Sequence, residues 1–183
     1  MQKYRTIVID PPWPGPGACP AFDEHSRLSP AANPRIRRDL IPYHTMTGVQ
    51  CAALRIRELA AADGQVFIWA PSRNVGDAFL LLQLWAFRYR GLFVWIKPLG
   101  LGRHMRSQAE FLLWGGRRGA PLVRPRECPH QLQRWPKPRR HSEKPPEAYA
   151  MIAALGPAPR LDVFARRRHE GFDAFGDEIE WEV

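Results

Sequence analysis

Short apolar runs alternate along the chain with stretches of helical length. The runs are rich in β-branched and aromatic residues and are bounded by Gly, Pro or Asp, which is typical of buried strands. They lie at Thr6–Ile9, Gln65–Ala70, Gly91–Ile96, Glu110–Gly115 and Arg160–Arg166. Between them the pattern predicts helices over Val49–Ala62, over Arg73–Phe87 and from Pro145 to Leu155. This alternation predicts an α/β fold with a largely parallel sheet.

Local signals set the expected ends of these helices. Thr47 is a plausible N-cap for the first helix, whose apolar face would carry Val49, Ala53, Ile56 and Ala60. Asp63-Gly64 would close it. Gly156-Pro157 would stop the last helix, because proline cannot continue one. Trp85 and Phe87, at the end of the second helix, are expected in the core.

The first strand runs directly into Asp10-Pro11-Pro12-Trp13. The two prolines cannot donate to a sheet ladder, so strand pairing must stop there. Each residue before a proline is held in an extended conformation. The result is a stiff segment at a strand end, and strand ends are where open α/β sheets bind ligands.

This segment suits methyl transfer to the exocyclic amine of a base. Such an amine is a poor nucleophile, because its lone pair is delocalised into the ring. The Asp10 carboxylate and the Pro11 carbonyl would accept its hydrogens and turn the lone pair toward the incoming methyl group. Trp13 would stack on the base, which contributes roughly 1–3 kcal/mol. The alternative is an ordinary strand exit, in which Pro11-Pro12 ends pairing and Trp13 packs against the protein.

Composition indicates which kind of binding partner and which cellular compartment to expect. The 183 residues fit one domain, 1–183. The net charge of +9 and pI of about 10.2 favour a polyanionic partner, with a basic proteome as the alternative. The breaker-rich stretch Gly15–Pro42 is expected to be a lid or a disordered loop. Neither a membrane span nor a signal peptide is expected, and three scattered cysteines without Cys-x-x-Cys favour a reducing cytoplasm with no zinc or disulfide framework.

Several stretches resemble the N6-adenosine methyltransferase family typified by the catalytic subunit of the messenger-RNA methylase, which has small bacterial and phage members. Asp10 through Trp13 matches the family's Asp-Pro-Pro-Trp motif. The other matches are Pro42 through Met46, Trp95 through Lys97, the acid Glu110 at a strand start, His141 through Pro145, Asp162 through Arg166, and Gly171 through Glu178. The resemblance implies a Rossmann-like methyltransferase fold with a mixed, mostly parallel sheet and helices on both faces.

The same resemblance implies S-adenosyl-L-methionine as cofactor and no metal. Asp10, Pro11, Pro12 and Trp13 would be catalytic, and Lys144 would meet the cofactor's carboxylate. Asp10 would lie between the cofactor's amino group and the target amine, since the first and last strong strands can be neighbours in a parallel sheet. The remaining implied cofactor residues are Asp162, Phe164, Arg166, Arg168, His169, Asp177 and Glu178, the last two replacing the family's amides.

The substrate side draws on the resemblance and on charge. By resemblance, Tyr43 borders the acceptor pocket, and Lys97 precedes a basic loop that carries Arg103 and Arg106. Glu110 would position the substrate or Lys144. Arg139 and Arg140 belong to a stretch in which arginines alternate with Trp and Pro, which suits a single-stranded or flipped-out nucleic-acid strand.

The sequence therefore predicts methyl transfer to N6 of adenine in nucleic acid, with DNA favoured over RNA. A duplex target would have to be flipped out. Methylation of RNA adenosine, methylation of N4 of cytosine, and a non-catalytic nucleic-acid-binding subunit of a methyltransferase complex remain alternatives. A homodimer or a partner subunit is compatible with each. The chain has no Gly-x-Gly-x-x-Gly, so no dinucleotide fingerprint is assigned. The acidic strand that larger members carry upstream of the motif is not in this sequence, so other residues are expected to hold the cofactor's adenine.

Overall fold

A computed structural model describes residues 2–14, 45–98, 106–140 and 142–176. Within these residues, seven strands form one sheet in the order β5-β3-β4-β2-β1-β6-β7. The strands are β1 (Tyr4–Ile9), β2 (Ala60–Pro71), β3 (Arg88–Ile96), β4 (Ala109–Gly116), β5 (Leu132–Gln133), β6 (Arg160–Val163) and β7 (Asp173–Phe175). The helices are α1 (Gly48–Ala52), α2 (Ile56–Leu59), α3 (Val75–Leu84) and α4 (Pro146–Leu155).

The sheet is mixed and mostly parallel, as predicted. β1 pairs in parallel with β2 and β6, β6 with β7, and β3 with β5. β4 runs antiparallel to both β2 and β3. Because of this reversal, the start of β4 lies at the edge of the sheet where β1, β2 and β3 end.

The sheet is covered on both faces, which explains why β1 reads as a continuous apolar run. Ile7 and Ile9 pack into a core with α3, whereas Val8 points into a second core with α4. All three are fully buried. The predicted arrangement of helices on both faces is confirmed, and β1 is a central strand.

The predicted helix Val49–Ala62 is broken in the structure: α1 and α2 cover two parts of it, and residues 60–62 belong to β2 instead. Thr47 does cap α1, in a capping box with Gln50, but α1 ends at Ala52 and β2 begins at Ala60. Val49 is 82% exposed rather than part of an apolar face. Alanine favours helices by propensity, and here tertiary contacts override that preference.

Two arginines supply those contacts. Arg117 donates to the Ala60 and Ala61 carbonyls, and Arg5 holds Asp63 at 2.6 Å. Tyr4 pairs with Ala60, and Thr6 pairs with Gln65. The segment of β2 between these pairs is therefore longer than the facing segment of β1, so it bulges. Asp63-Gly64 therefore lies inside a strand and does not close a helix.

Smaller differences concern boundaries. The predicted helix Arg73–Phe87 is a 3-10 turn, Ser72–Asn74, followed by α3. Trp85 and Phe87 are buried, as predicted. The last strong strand ends at Val163 rather than Arg166, because Phe164 turns the chain with a φ of 64°. In the described part of the chain, no helix has the length and apolar character needed to cross a bilayer.

Candidate active site

The Asp-Pro-Pro-Trp segment leaves the sheet at the carboxyl end of β1. The Asp10 amide donates to the Val163 carbonyl at the end of β6 (3.3 Å). The expected adjacency of these two strands is thus confirmed by their pairing. Asp10 and the residues that follow β6 meet at one edge of the sheet, which is the ligand-binding edge of open α/β sheets.

Hydrogen bonds fix the rest of the motif. The Trp13 amide donates to the Pro11 carbonyl (2.7 Å), and the Met46 amide donates to the Pro12 carbonyl (2.8 Å). A carbonyl oxygen has two lone pairs, so the Pro11 carbonyl can accept from a second donor while it accepts from Trp13. The Trp13 indole donates to the Trp69 carbonyl (2.8 Å), and its ring is 6% exposed within the core. In this structure the Trp13 ring packs against protein, so its stacking on a base stays a prediction.

A row of side chains with alternating charge lies behind Asp10. The Lys144 ammonium donates to Asp10 Oδ2 (2.8 Å) and lies 3.0 Å from Glu110 Oε1. Lys97 lies 2.6 Å from Glu110 Oε2. Lys144 also donates to the Ser142 carbonyl (3.1 Å), so all three of its N–H groups have acceptors. We refer to Lys97, Glu110, Lys144 and Asp10 as the ion row.

The fold brings the ion row together from distant parts of the chain. Asp10 follows β1, Lys97 follows β3, and Glu110 lies at the start of β4 because that strand is reversed. Lys144 precedes α4, and its side chain is only 5% exposed. Without the family resemblance, the sequence pattern favoured an exposed lysine at this helix start. The structure thus gives Glu110 one of its two predicted roles, contact with Lys144.

Burial and charge act in opposite directions on this row. Burial raises the pKa of Asp10, and the neighbouring Lys144 opposes that rise without cancelling it. Burial also acts to raise the pKa of Glu110, but Lys144 and Lys97 outweigh it, so that pKa lies below its usual value. Burial acts to lower the pKa of Lys144, and the two carboxylates overcome it and raise that pKa. Lys144 is therefore a permanent cation that favours the ionised form of Asp10.

Indole rings flank the two lysines. The Lys144 ammonium lies 5.6 Å from the centre of the Trp69 ring, and the Lys97 ammonium lies 4.8 Å from that of Trp95. These rings meet edge to face at 6.1 Å. The quadrupole of an aromatic face attracts a cation, so the rings hold both ammonium groups in place.

The residues after β6 form the other wall of a narrow cleft. Phe164, Arg166 and His169 line it together with Asp10, Lys144 and Tyr149. Asp162 lies behind them and is 1% exposed. Burial raises its pKa to about 8, with Tyr149 and Lys144 opposing the rise and Asp10 adding to it. Ser142 and Phe164 both have positive φ (61° and 64°), a strained conformation that is common at functional sites.

The charged groups around this cleft suit the amino-acid end of S-adenosylmethionine. The cofactor carries an ammonium, a carboxylate and a sulfonium, and the cleft offers both acidic and basic side chains. Asp162 Oδ2 is buried and has no hydrogen-bond partner among the described residues. A buried carboxylate oxygen without a donor is costly, so it is suited to receive one from a ligand. Asp10 and Asp162 would face the ammonium, and Arg166 the carboxylate. The predicted contact of Lys144 with that carboxylate is not available in this structure, because its three N–H groups already have acceptors in Asp10, Glu110 and the Ser142 carbonyl.

Other predicted site residues lie further out or outside the described residues. Arg106, Arg139, Arg140 and Arg168 are exposed. Arg139 and Arg140 line a groove of about 560 Å³ that shares Glu143 and Arg167 with the cleft. Tyr43, Arg103, Asp177 and Glu178 lie outside the described residues, as do Gly15–Pro42 and most of the predicted loop Leu99–Gln108.

Sequence reasoning missed two features of the cleft. Tyr149 falls in the predicted last helix and was given no role in the site, yet it lines the cleft and faces Asp162. Glu143 forms an ion pair with Arg167 (3.2 Å) at the cleft entrance. A tyrosine on the buried face of a helix was the available signal, because a buried hydroxyl needs a polar partner.

Comparison with known proteins agrees with this geometry. The MT-A70 family model matches residues 4–178. The type II methyltransferase M.MunI of Mycoplasma sp is 30% identical over 187 residues, covering 97% of this chain and 78% of that protein. The N(6)-adenosine-methyltransferase catalytic subunit METTL3 of Homo sapiens is 27% identical over 91% of this chain, which spans 26% of that protein.

A probable N(6)-adenosine-methyltransferase MT-A70-like protein of Oryza sativa subsp. japonica is 26% identical over 98% of this chain and 23% of its own length. The chain thus spans about a quarter of the length of these adenosine methyltransferases. The family match covers nearly the whole chain and includes the Asp-Pro-Pro-Trp segment, β6 and the cleft between them. The protein therefore belongs to the MT-A70 family of S-adenosylmethionine-dependent methyltransferases.

Proposed function

We propose that this protein transfers a methyl group from S-adenosylmethionine to N6 of adenine in nucleic acid, and that DNA is the preferred substrate. The observation that carries the proposal is the contact between Asp10 and the buried ammonium of Lys144, at the strand end beside the cofactor cleft. It supplies an ionised acceptor at the place where a base amine would have to be oriented.

Asp10 and the Pro11 carbonyl would each accept a hydrogen bond from one N–H of the amine. This withdraws the nitrogen lone pair from the ring and directs it at the methyl group. Methylation makes the nitrogen cationic, and the Asp10 carboxylate would receive the proton that it then releases. Lys144 favours the ionised form of Asp10, which is the form that accepts from the amine. When bound, S-adenosylmethionine supplies an electrophilic methyl group on its sulfonium sulfur. Holding both reactants in this alignment supplies much of the rate enhancement.

Exposed cations are expected to bind the nucleic-acid backbone. Lys137, Arg139, Arg140 and Arg167 lie around the groove that adjoins the cleft. Phosphate contacts position a strand without reading its sequence. Their loss should weaken binding and flatten its salt dependence, with little change in cofactor affinity.

The preference for DNA is supported by the extent of the matches. The relative that this chain covers over 78% of its length is named a type II methyltransferase. The relatives whose names specify adenosine, the ribonucleoside, are matched over about a quarter of their length. The match therefore covers more of the type II methyltransferase than of the adenosine methyltransferases.

A labelled-methyl transfer assay tests the proposal. Single- and double-stranded DNA and RNA oligonucleotides would be offered, and the product digested to nucleosides. N6-methyladenine is expected, most rapidly in DNA. Asp10→Asn should lower the rate by at least about 100-fold. Asp63→Asn is the matched control, since Asp63 pairs with Arg5 at the opposite end of β1.

Three outcomes would count against the proposal. N4-methylcytosine as the product would contradict the choice of base. Faster transfer to RNA would contradict the choice of DNA. Wild-type activity in Asp10→Asn would remove Asp10 from the chemistry.

A further inference from the structure

The Tyr149 side chain contacts two parts of the cleft wall, Asp162 in β6 and His169 in the turn after β6. Its ring stacks on the His169 imidazole, with centroids 3.4 Å apart and planes 10° from parallel. The edge of the same ring meets Phe172 at 5.5 Å and 87°. At its other end, the Tyr149 hydroxyl faces the Asp162 carboxyl group, whose Oδ2 atom is buried without a hydrogen-bond partner among the described residues. The side chain is buried.

These contacts connect β6 with the turn that follows it, which lies outside the helices and strands. Asp162 is in β6, whereas His169 is in the turn between β6 and β7. Within that turn the Phe172 amide donates to the His169 carbonyl (3.1 Å). Tyr149 comes from α4, which packs on the sheet, so its position does not depend on the turn. The helix thus provides a fixed support for both residues.

The charged surroundings define what the hydroxyl does. Asp162 is faced by Tyr149 from α4, by Lys144 before α4 and by Asp10 at the end of β1. The hydroxyl favours the ionised form of Asp162, as does Lys144, whereas burial and Asp10 disfavour it. Burial, aided by Arg167, lowers the pKa of His169 to about 4. His169 is therefore a neutral ring at physiological pH and stacks as one.

We propose that Tyr149 is a positioning residue for the cofactor half of the cleft, where its hydroxyl holds Asp162 and its ring holds His169. The inference rests on the proposed function, because it concerns how the cofactor is held. Tyr149 acts through the two residues it touches. It has no part in the methyl-transfer step.

The test is binding of S-adenosylhomocysteine, the demethylated cofactor, by isothermal titration calorimetry across the neutral pH range. Tyr149→Phe keeps the ring and removes the hydroxyl. We expect it to weaken binding about 10-fold near neutral pH, because Asp162 loses a partner that favours its ionised form. We also expect the pH at which affinity reaches its plateau to move upward. Tyr89→Phe is the matched control, since Tyr89 is half exposed on β3 and packs on Phe79.

A double-mutant cycle shows whether the hydroxyl works through Asp162. In an Asp162→Asn background, affinity should no longer vary with the ionisation of residue 162. Tyr149→Phe should then change affinity much less than it does in the wild type. Melting temperature is measured in parallel to separate folding from binding.

The outcomes separate the two claims. Absence of binding to the wild type, in a folded protein, would overturn the proposed function and the inference with it. Binding that is equal in wild type and Tyr149→Phe, with the same pH dependence, would overturn the inference alone. A lower melting temperature with unchanged affinity would assign Tyr149 to stability only and would also overturn it.

Discussion

Replacing Lys144 by Met removes the central cation of the ion row while nearly keeping its volume. Lys144 is 5% exposed, and its ammonium contacts Asp10 at 2.8 Å and Glu110 at 3.0 Å. The variant leaves two largely buried carboxylates close together. Glu110 keeps Lys97, so Asp10 is the group that loses its counter-ion. Its pKa, already raised by burial, should rise further.

The magnitude follows from the burial of the pair. Removing one partner of a buried ion pair costs about 3–5 kcal/mol. Protonation of Asp10 relieves part of that cost, so we expect about 3 kcal/mol, or roughly 6–12 °C in melting temperature for a chain of this size. Protonated Asp10 can no longer accept from the base amine with its full capacity, so methyl transfer should fall by at least about 100-fold.

The sign of the pH dependence gives the sharpest check. In Lys144→Met, the folded pKa of Asp10 lies above its unfolded value of about 3.9. The folded state of the variant then binds a proton more tightly than the unfolded state. Its stability deficit relative to wild type should therefore be largest at neutral pH and should shrink as the pH falls toward 4. Thermal melts across this range measure the deficit, and a radiolabel assay measures transfer.

Lys3→Met is the control, since Lys3 is exposed and contacts only a backbone carbonyl in the described part of the chain. It should change the melting temperature little. An equal deficit for Lys144→Met at every pH would refute the reasoning, because it would show that Asp10 does not titrate in response. So would retention of wild-type transfer.

Three further outcomes are expected. The rate of methyl transfer should fall in acid with a midpoint above the usual aspartate range, because burial raises the pKa of Asp10; a pH–rate profile checks this, and a midpoint near 3.9 would contradict it. Asp162→Asn should raise the melting temperature of the cofactor-free protein at pH 7. The folded pKa of Asp162, about 8, lies above its unfolded value, so the wild type loses stability as the pH rises from about 4 to 8. An unchanged or lower melting temperature would argue against this. Val49→Lys should change the free energy of unfolding by less than about 0.5 kcal/mol, whereas Ile56→Ala should lower it by about 2–5 kcal/mol. Denaturant unfolding measures both values. Similar costs at the two positions would contradict the observed break between α1 and α2.

The parts of the fold that sequence analysis predicted are those whose signals are local. β1 and the proline segment after it were predictable because an apolar run followed by Pro-Pro leaves few alternatives. The predicted helix over Val49–Ala62 failed at its end, because Arg117 holds the Ala60 and Ala61 carbonyls in β2 and Arg5 holds Asp63 just beyond them. Local propensity contains no information about such partners.

The site shows the same division. Asp10 and Lys144 were predicted to belong to one site by resemblance, yet nothing in the sequence indicated that Lys144 is buried between two carboxylates. That arrangement depends on the reversal of β4, which places Glu110 beside the end of β1. Tyr149 was missed for a related reason, because its hydroxyl finds Asp162 only after α4 docks on the sheet.

The alternation of charge along the ion row determines which part of the protein attracts a polyanion. Two cations and two anions in sequence, Lys97, Glu110, Lys144 and Asp10, sum to zero. The interior of the catalytic edge is therefore electrically balanced, although the chain as a whole carries a charge of +9. A polyanion is attracted by the outer surface and is not drawn into the interior by a surplus of positive charge. The surface cations thus provide the long-range attraction, and the buried ion row takes part in the local chemistry. Salt should weaken the attraction of the polyanion while leaving the interactions within the ion row largely unchanged.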